Sequence, residues 1–106
     1  MLRREGSPDN FILKYEELFA AGYNRWTDKY PLLDGPLRWV EHLLKRAPLS
    51  NGVPCPIEEE NRVFRVIKTP PFTGTPGVRI LYEVDEADYI VTLWHIEPSA
   101  DDPVSM

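Results

Sequence analysis

Residues 79–96 read Arg79-Ile80-Leu81-Tyr82-Glu83-Val84-Asp85-Glu86-Ala87-Asp88-Tyr89-Ile90-Val91-Thr92-Leu93-Trp94-His95-Ile96. Two runs rich in β-branched and aromatic residues flank the acidic turn Asp85 to Asp88, which is the pattern of a β-hairpin. A turn placed there sets Val84 opposite Tyr89, and directly opposed residues of an antiparallel ladder share a face. Ile80 then meets Leu93, Tyr82 meets Val91 and Val78 meets His95, an almost wholly apolar face directed at a core. The other face carries Arg79 opposite Trp94, Leu81 opposite Thr92 and Glu83 opposite Ile90. In this register Arg79 touches Trp94, either to hold a phosphate and stack a base or as a structural cation–π pair. His95 points toward the core as a satisfied structural histidine, away from Arg79. A slip of one residue would reverse that.

Upstream, Arg62-Val63-Phe64-Arg65-Val66-Ile67-Lys68 reads as a further strand. Arg65 shares parity with Val63 and Ile67, and Lys68 with Phe64 and Val66, so Arg65 and Lys68 project to opposite faces unless a bulge intervenes. Thr69 to Gly77, with three prolines and two glycines, is a stiff connecting loop. Farther back the period changes. Phe19, Tyr23, Trp26 and Tyr30 fall on one face of a helix, broadened by Leu18 and Ala21, and core packing is the better reading of that aromatic stripe. Pro31 ends this helix, and Leu33 to Pro36 is a connection. A second helix runs from about Pro36 to Arg46, with Leu37, Val40, Leu43 and Leu44 as its apolar face. Its outer face carries a Glu41–Lys45 pair and a solvent-facing His42. Phe11 to Tyr15 permits a short strand, and the proline-rich stretch Ala47 to Glu60 fits no regular element.

The chain has 106 residues, with hydrophobic content of 42% and aromatic content of 11%, enough for one modest core. One domain over residues 1–106 is expected, with residues 1–9 and 97–106 as flexible tails. A single cysteine, Cys55, excludes an internal disulfide framework, and its surroundings offer nothing to activate the thiol. No apolar run reaches membrane-spanning length and the N-terminus has no signal-peptide pattern, so a cytoplasmic protein without a membrane partner is expected. Net charge is −5, from 12 basic and 17 acidic residues, which argues against a general nucleic-acid binder. Between Asn61 and Tyr82, however, stand Arg62, Arg65, Lys68 and Arg79 with no acid among them. That segment is either ordinary strand-surface charge or a small phosphate-facing patch.

The strands Phe64-Arg65-Val66-Ile67 and Arg79-Ile80-Leu81-Tyr82-Glu83-Val84-Asp85 resemble the RelE/ParE superfamily of toxins from type II toxin–antitoxin systems. Its members typically carry an aromatic-Arg-hydrophobic-Arg/Lys strand, a linker, and then Arg-hydrophobic-hydrophobic-Tyr-x-Val-Asp. The likeness extends over Phe11 to Ile96. It implies an α+β fold: an N-terminal strand, two helices, then a three-stranded antiparallel meander with the helices packed on one face.

The same resemblance implies a toxin that inhibits translation by ribosome-dependent mRNA cleavage, as an endoribonuclease needing neither metal nor cofactor. Arg79 would stabilise charge at the scissile phosphate, and Arg65 would hold RNA and help polarise the attacking 2′-hydroxyl. Lys68, Arg62 and Trp94 would bind RNA. The implied partners are a cognate antitoxin, the ribosome and mRNA. Nuclease members place a histidine, tyrosine or basic residue just after the last strand, whereas here Glu97 to Asp102 is acidic and interrupted by proline. Two alternatives therefore stand beside the nuclease: a ParE-like inhibitor that binds DNA gyrase, and a non-catalytic interaction protein on the same scaffold.

Overall fold

The computed structural model describes residues 6–55, 62–72 and 74–99. In chain order the elements are β1 (Ile12–Tyr15), α1 (Glu17–Lys29), a 3₁₀ turn (Pro31–Leu33), α2 (Asp34–Arg46), β2 (Val53–Pro54), β3 (Val63–Lys68), β4 (Val78–Asp85) and β5 (Ile90–Pro98). The strands form one sheet in the order β1-β5-β4-β3-β2, with β1 parallel to β5 and the other pairs antiparallel. The expected meander is thus β3-β4-β5, and the N-terminal strand adds to its far side. Among the described residues no helix is long and apolar enough to cross a membrane.

Both helices carry an acid in the first turn and a base in the last, which complements the helix dipole. Pro31 ends α1 as expected, because it has no N–H to continue the ladder. Helix α2 begins earlier than the sequence suggests, at Asp34, and Leu33 is fully buried in the 3₁₀ turn. Phe19, Leu37, Val40 and Leu44 are buried against the alternate residues Val78, Ile80, Tyr82 and Val84 of β4 and Val91, Leu93 and Ile96 of β5. Tyr23, Trp26 and Tyr30 pack on the margin of this core, so the aromatic stripe of α1 is packing surface. Leu18 and Ala21 do not broaden it, for Leu18 is 71% exposed and Ala21 is exposed as well. His42 is exposed and stacks on Trp39 at 5.5 Å.

Helix α1 lies directly on β5. A Cβ at Gly22 would stand 2.8 Å from Ile96 Cγ2 and 3.1 Å from the Ile96 carbonyl oxygen, so glycine is what permits the approach. At the other end of the sheet, Tyr82 is fully buried and its hydroxyl lies 2.7 Å from the Pro48 carbonyl and 2.8 Å from that of Asn51. This anchor holds the segment that leads into β2. The proline-rich stretch therefore contains one short edge strand that its composition did not reveal, paired through Val53 with Val66 and Pro54 with Arg65. Pro54 is tolerated because an edge strand can spare an N–H.

The expected tails are shorter than composition suggests. Strand β5 continues through Glu97 and Pro98, and the Ser99 amide donates to the Gly77 carbonyl at 2.9 Å. Gly6 is buried against Tyr89, and Ser7 and Asn10 bond each other through the backbone. The remaining tail residues, 1–5 and 100–106, lie outside the described residues, as do 56–60 of the proline-rich stretch and residue 61 after it.

Candidate functional site on the open sheet face

The register of the hairpin decides which side chains meet. Val84 pairs with Val91, Glu83 with Thr92 and Tyr82 with Leu93, two residues farther along β5 than the turn position predicts. The turn is Glu86 to Tyr89, with Tyr89 at φ 55° and the Asp85 carboxylate accepting the Ala87 and Asp88 amides at 3.0 and 3.1 Å. A shift of two preserves parity, so the apolar face stays inward. Between Leu81 and Tyr82 the ladder then slips once more, and Leu81 pairs with His95, Ile80 with Ile96 and Arg79 with Glu97. This β-bulge at Trp94 changes the parity of everything after it.

Two expectations are overturned by the bulge. Arg79 does not lie beside Trp94; its cross-strand partner is Glu97, to which its Nη2 donates in an ion pair. His95 does not face the core but lies exposed on the same side as Arg79, its Nε2 3.4 Å from Glu97 Oε2. The Glu97 carboxylate is thus shared between an arginine and a histidine. On the other side of β4, Lys68 pairs with Arg79 across the ladder. Lys68, Arg79 and Glu97 form one row across three strands, and Leu81 and His95 lie in the next. Two like charges directly opposed on a sheet are destabilising by themselves, so this row breaks a local rule of sheet design. The Arg79 Nε is buried and has no hydrogen-bond partner among the described residues.

The next part of the same face is a closed structural tile. Arg62 donates from Nε and Nη2 to the two oxygens of Glu83 at 3.0 and 2.7 Å. Trp94 Nε1 donates to Glu83 Oε1 at 3.0 Å. The Arg62 guanidinium lies 4.8 Å from the Phe64 ring centre and 5.4 Å from that of Trp94. Hydrogen bonding by Arg62, and then by Trp94, holds the Glu83 carboxyl below its ordinary range against the opposing effect of burial.

Arg65 sits on the opposite face, as its parity requires. Its Nε donates to the Asn51 carbonyl at 3.1 Å and its Nη2 to that of Gly52 at 3.0 Å. Gly52 has φ 70°, and a Cβ there would come within 2.8 Å of Tyr82 Oη, so the loop wraps tightly around this pair. Burial raises the Tyr82 phenol pKa, and the neighbouring Arg65 cation pulls it partly back. Of the five residues singled out from sequence, Lys68 and Arg79 come together, Arg62 and Trp94 join each other around Glu83, and Arg65 stands apart. His95 and Glu97 were missed because a bulge leaves no dependable mark in a run of strand-forming residues.

Chemically, the row offers two cationic donors for phosphate oxygens, a carboxylate that can accept a proton and an imidazole that can donate one. No family model matches the chain, and no curated protein matches it. In structure the chain is similar to a chain of the RelBE2 toxin–antitoxin complex from Mycobacterium tuberculosis, with a TM-score of 0.65 at 15% sequence identity. The match covers 92% of this chain and 100% of that one. The protein thus has the RelE-like α+β fold, two helices packed on one face of a mixed five-stranded sheet.

Proposed function

We propose that this chain is the cytoplasmic toxin of a toxin–antitoxin pair and that it cleaves mRNA on the ribosome without a metal ion. The observation that carries the reading is the meeting of Lys68, Arg79, His95 and Glu97 on the uncovered face of a RelE-like sheet. In-line cleavage needs a base to take the 2′-hydroxyl proton, an acid to protonate the departing 5′-oxygen, and cations for the charge that builds on phosphate. Glu97 serves as the base and His95, when protonated, as the acid. Arg79 and Lys68 bind the phosphate, which competes with Glu97 for the Arg79 guanidinium. The 2′-oxygen forms a bond to phosphorus, the bond to the 5′-oxygen breaks, and the product is a cyclic phosphate. Arg65 acts by holding the loop at Asn51 and Gly52, and Arg62 and Trp94 by stiffening the neighbouring surface. A cognate antitoxin, the ribosome and mRNA are the partners.

A second reading is a ParE-like inhibitor of DNA gyrase or a non-catalytic binder. It is favoured by the ion pair that already neutralises Arg79. In vitro translation with purified protein, with mRNA ends mapped by primer extension, separates the two. Ribosome-dependent cuts that disappear in Arg79→Ala, with the melting curve retained, are expected for the nuclease. Intact mRNA would move the assignment to the second reading, with stalled gyrase in a separate supercoiling assay marking the inhibitor and unaffected gyrase the non-catalytic binder.

A further inference from the structure

Next to the row of charged residues, α1 and the last part of β5 enclose a groove of about 270 Å³. Strand β1 ends at Tyr15, opposite Leu93, so beyond that point no strand pairs with this edge of β5, and α1 packs against it at Gly22 and Ile96. Gly22 leaves the floor without a side chain, Trp26 and Arg25 form one wall, and His95 and Glu97 form the other. Arg25 is exposed, and among the described residues no carboxylate pairs with it. Trp26 is half-buried and packed on the core margin, and the Lys29 ammonium lies 5.9 Å from its ring centre, a cation that a stacked base would displace.

We infer that this groove is a nucleobase subsite for the nucleotide flanking the cleaved phosphate, with Trp26 supplying a stacking surface and Arg25 selecting guanine. The inference rests on the RNA-cleaving reading of the adjoining face, since His95 and Glu97 belong to both. Glu97, the ion-pair partner of Arg79, lines the groove together with Trp26, and bases stack on indole rings whatever their identity. The arginine adds selection. A guanidinium donates two parallel hydrogen bonds to O6 and N7 of guanine, and no other base presents two acceptors on that edge.

The test is an NMR titration of labelled full-length protein with GMP and, separately, with CMP, followed by mapping of mRNA cut sites. Shifts of the Trp26 indole and of the backbone amides of Arg25 and His95 are expected with GMP. They should be much weaker with CMP, and Arg25→Ala should reduce GMP binding about tenfold or more. Where mRNA is cut, Arg25→Ala should flatten the base preference beside the cut. Equal shifts with both nucleotides, shifts confined to other regions, or an unchanged cut pattern in Arg25→Ala would overturn the subsite. Guanine-selective shifts with no mRNA cleavage would uphold the subsite as a nucleotide site while removing the nuclease reading.

Discussion

Arg79 and Glu83 differ in what their charges do, although both lie on the same face of β4. Glu83 is only 19% exposed and is held by Arg62 and Trp94, so its role is structural. Its depressed pKa makes this contribution to stability fully present above the ordinary value of 4.5 and lost as pH falls below it. Glu83→Gln should lower stability by about 1–3 kcal/mol at neutral pH and flatten the acid limb of the stability curve, read from urea melts across pH. An unchanged acid limb would show that the tile contributes nothing. Arg65→Ala should likewise cost about 1–3 kcal/mol by freeing the Asn51 and Gly52 carbonyls. If the variant is instead fully stable but unable to cleave RNA, Arg65 belongs to the chemistry after all. The opposite placement of Arg65 and Lys68 was legible in the sequence, because strand parity needs only the count of residues between them.

Among the elements, helix and strand identity followed from period, and the core-facing residues of α2 and β4 could be read directly, whereas in α1 Leu18 and Ala21 were expected inward and are exposed. The bulge in β5 could not, since its signal is a cross-strand mismatch and both partners are strand-forming. Backbone NOEs should link Val84 to Val91 and Ile80 to Ile96, with Leu81 reaching both Trp94 and His95. A regular series through that region would restore Arg79 to Trp94 and remove the site. The continuation of β5 past Ile96 was missed because Pro98 and the acids after it suggest a tail, yet Ser99 is tied to Gly77. The contact of α1 with β5 gives a second prediction. Gly22→Ala places a methyl against Ile96 and should cost about 1–3 kcal/mol in a thermal or urea melt. A variant as stable as the wild type would mean that α1 can move away from β5.

Across the whole molecule, a net charge of −5 surrounds a small cationic row. Weak binding of free RNA is the expectation for such a surface, because few phosphates are neutralised and the remaining surface repels them. With Lys68, Arg79 and Arg25 as the contacts, affinity for a fluorescent single-stranded RNA should fall with salt at a log–log slope of about −2. A slope several times steeper would require a basic surface that the described residues do not form. The RelE-like fold was legible from two strand motifs, but the meeting of Arg79, His95 and Glu97 was not. Sequence order placed His95 inside and left Glu97 in a tail, and only the folded register brings them to Arg79. The most direct test is the single-turnover rate of ribosome-bound mRNA cleavage by the wild type and by His95→Ala. The expected result is a loss of about 10²–10⁴-fold with the melting curve unchanged. Cleavage at the wild-type rate would contradict the assignment of proton transfer to this face.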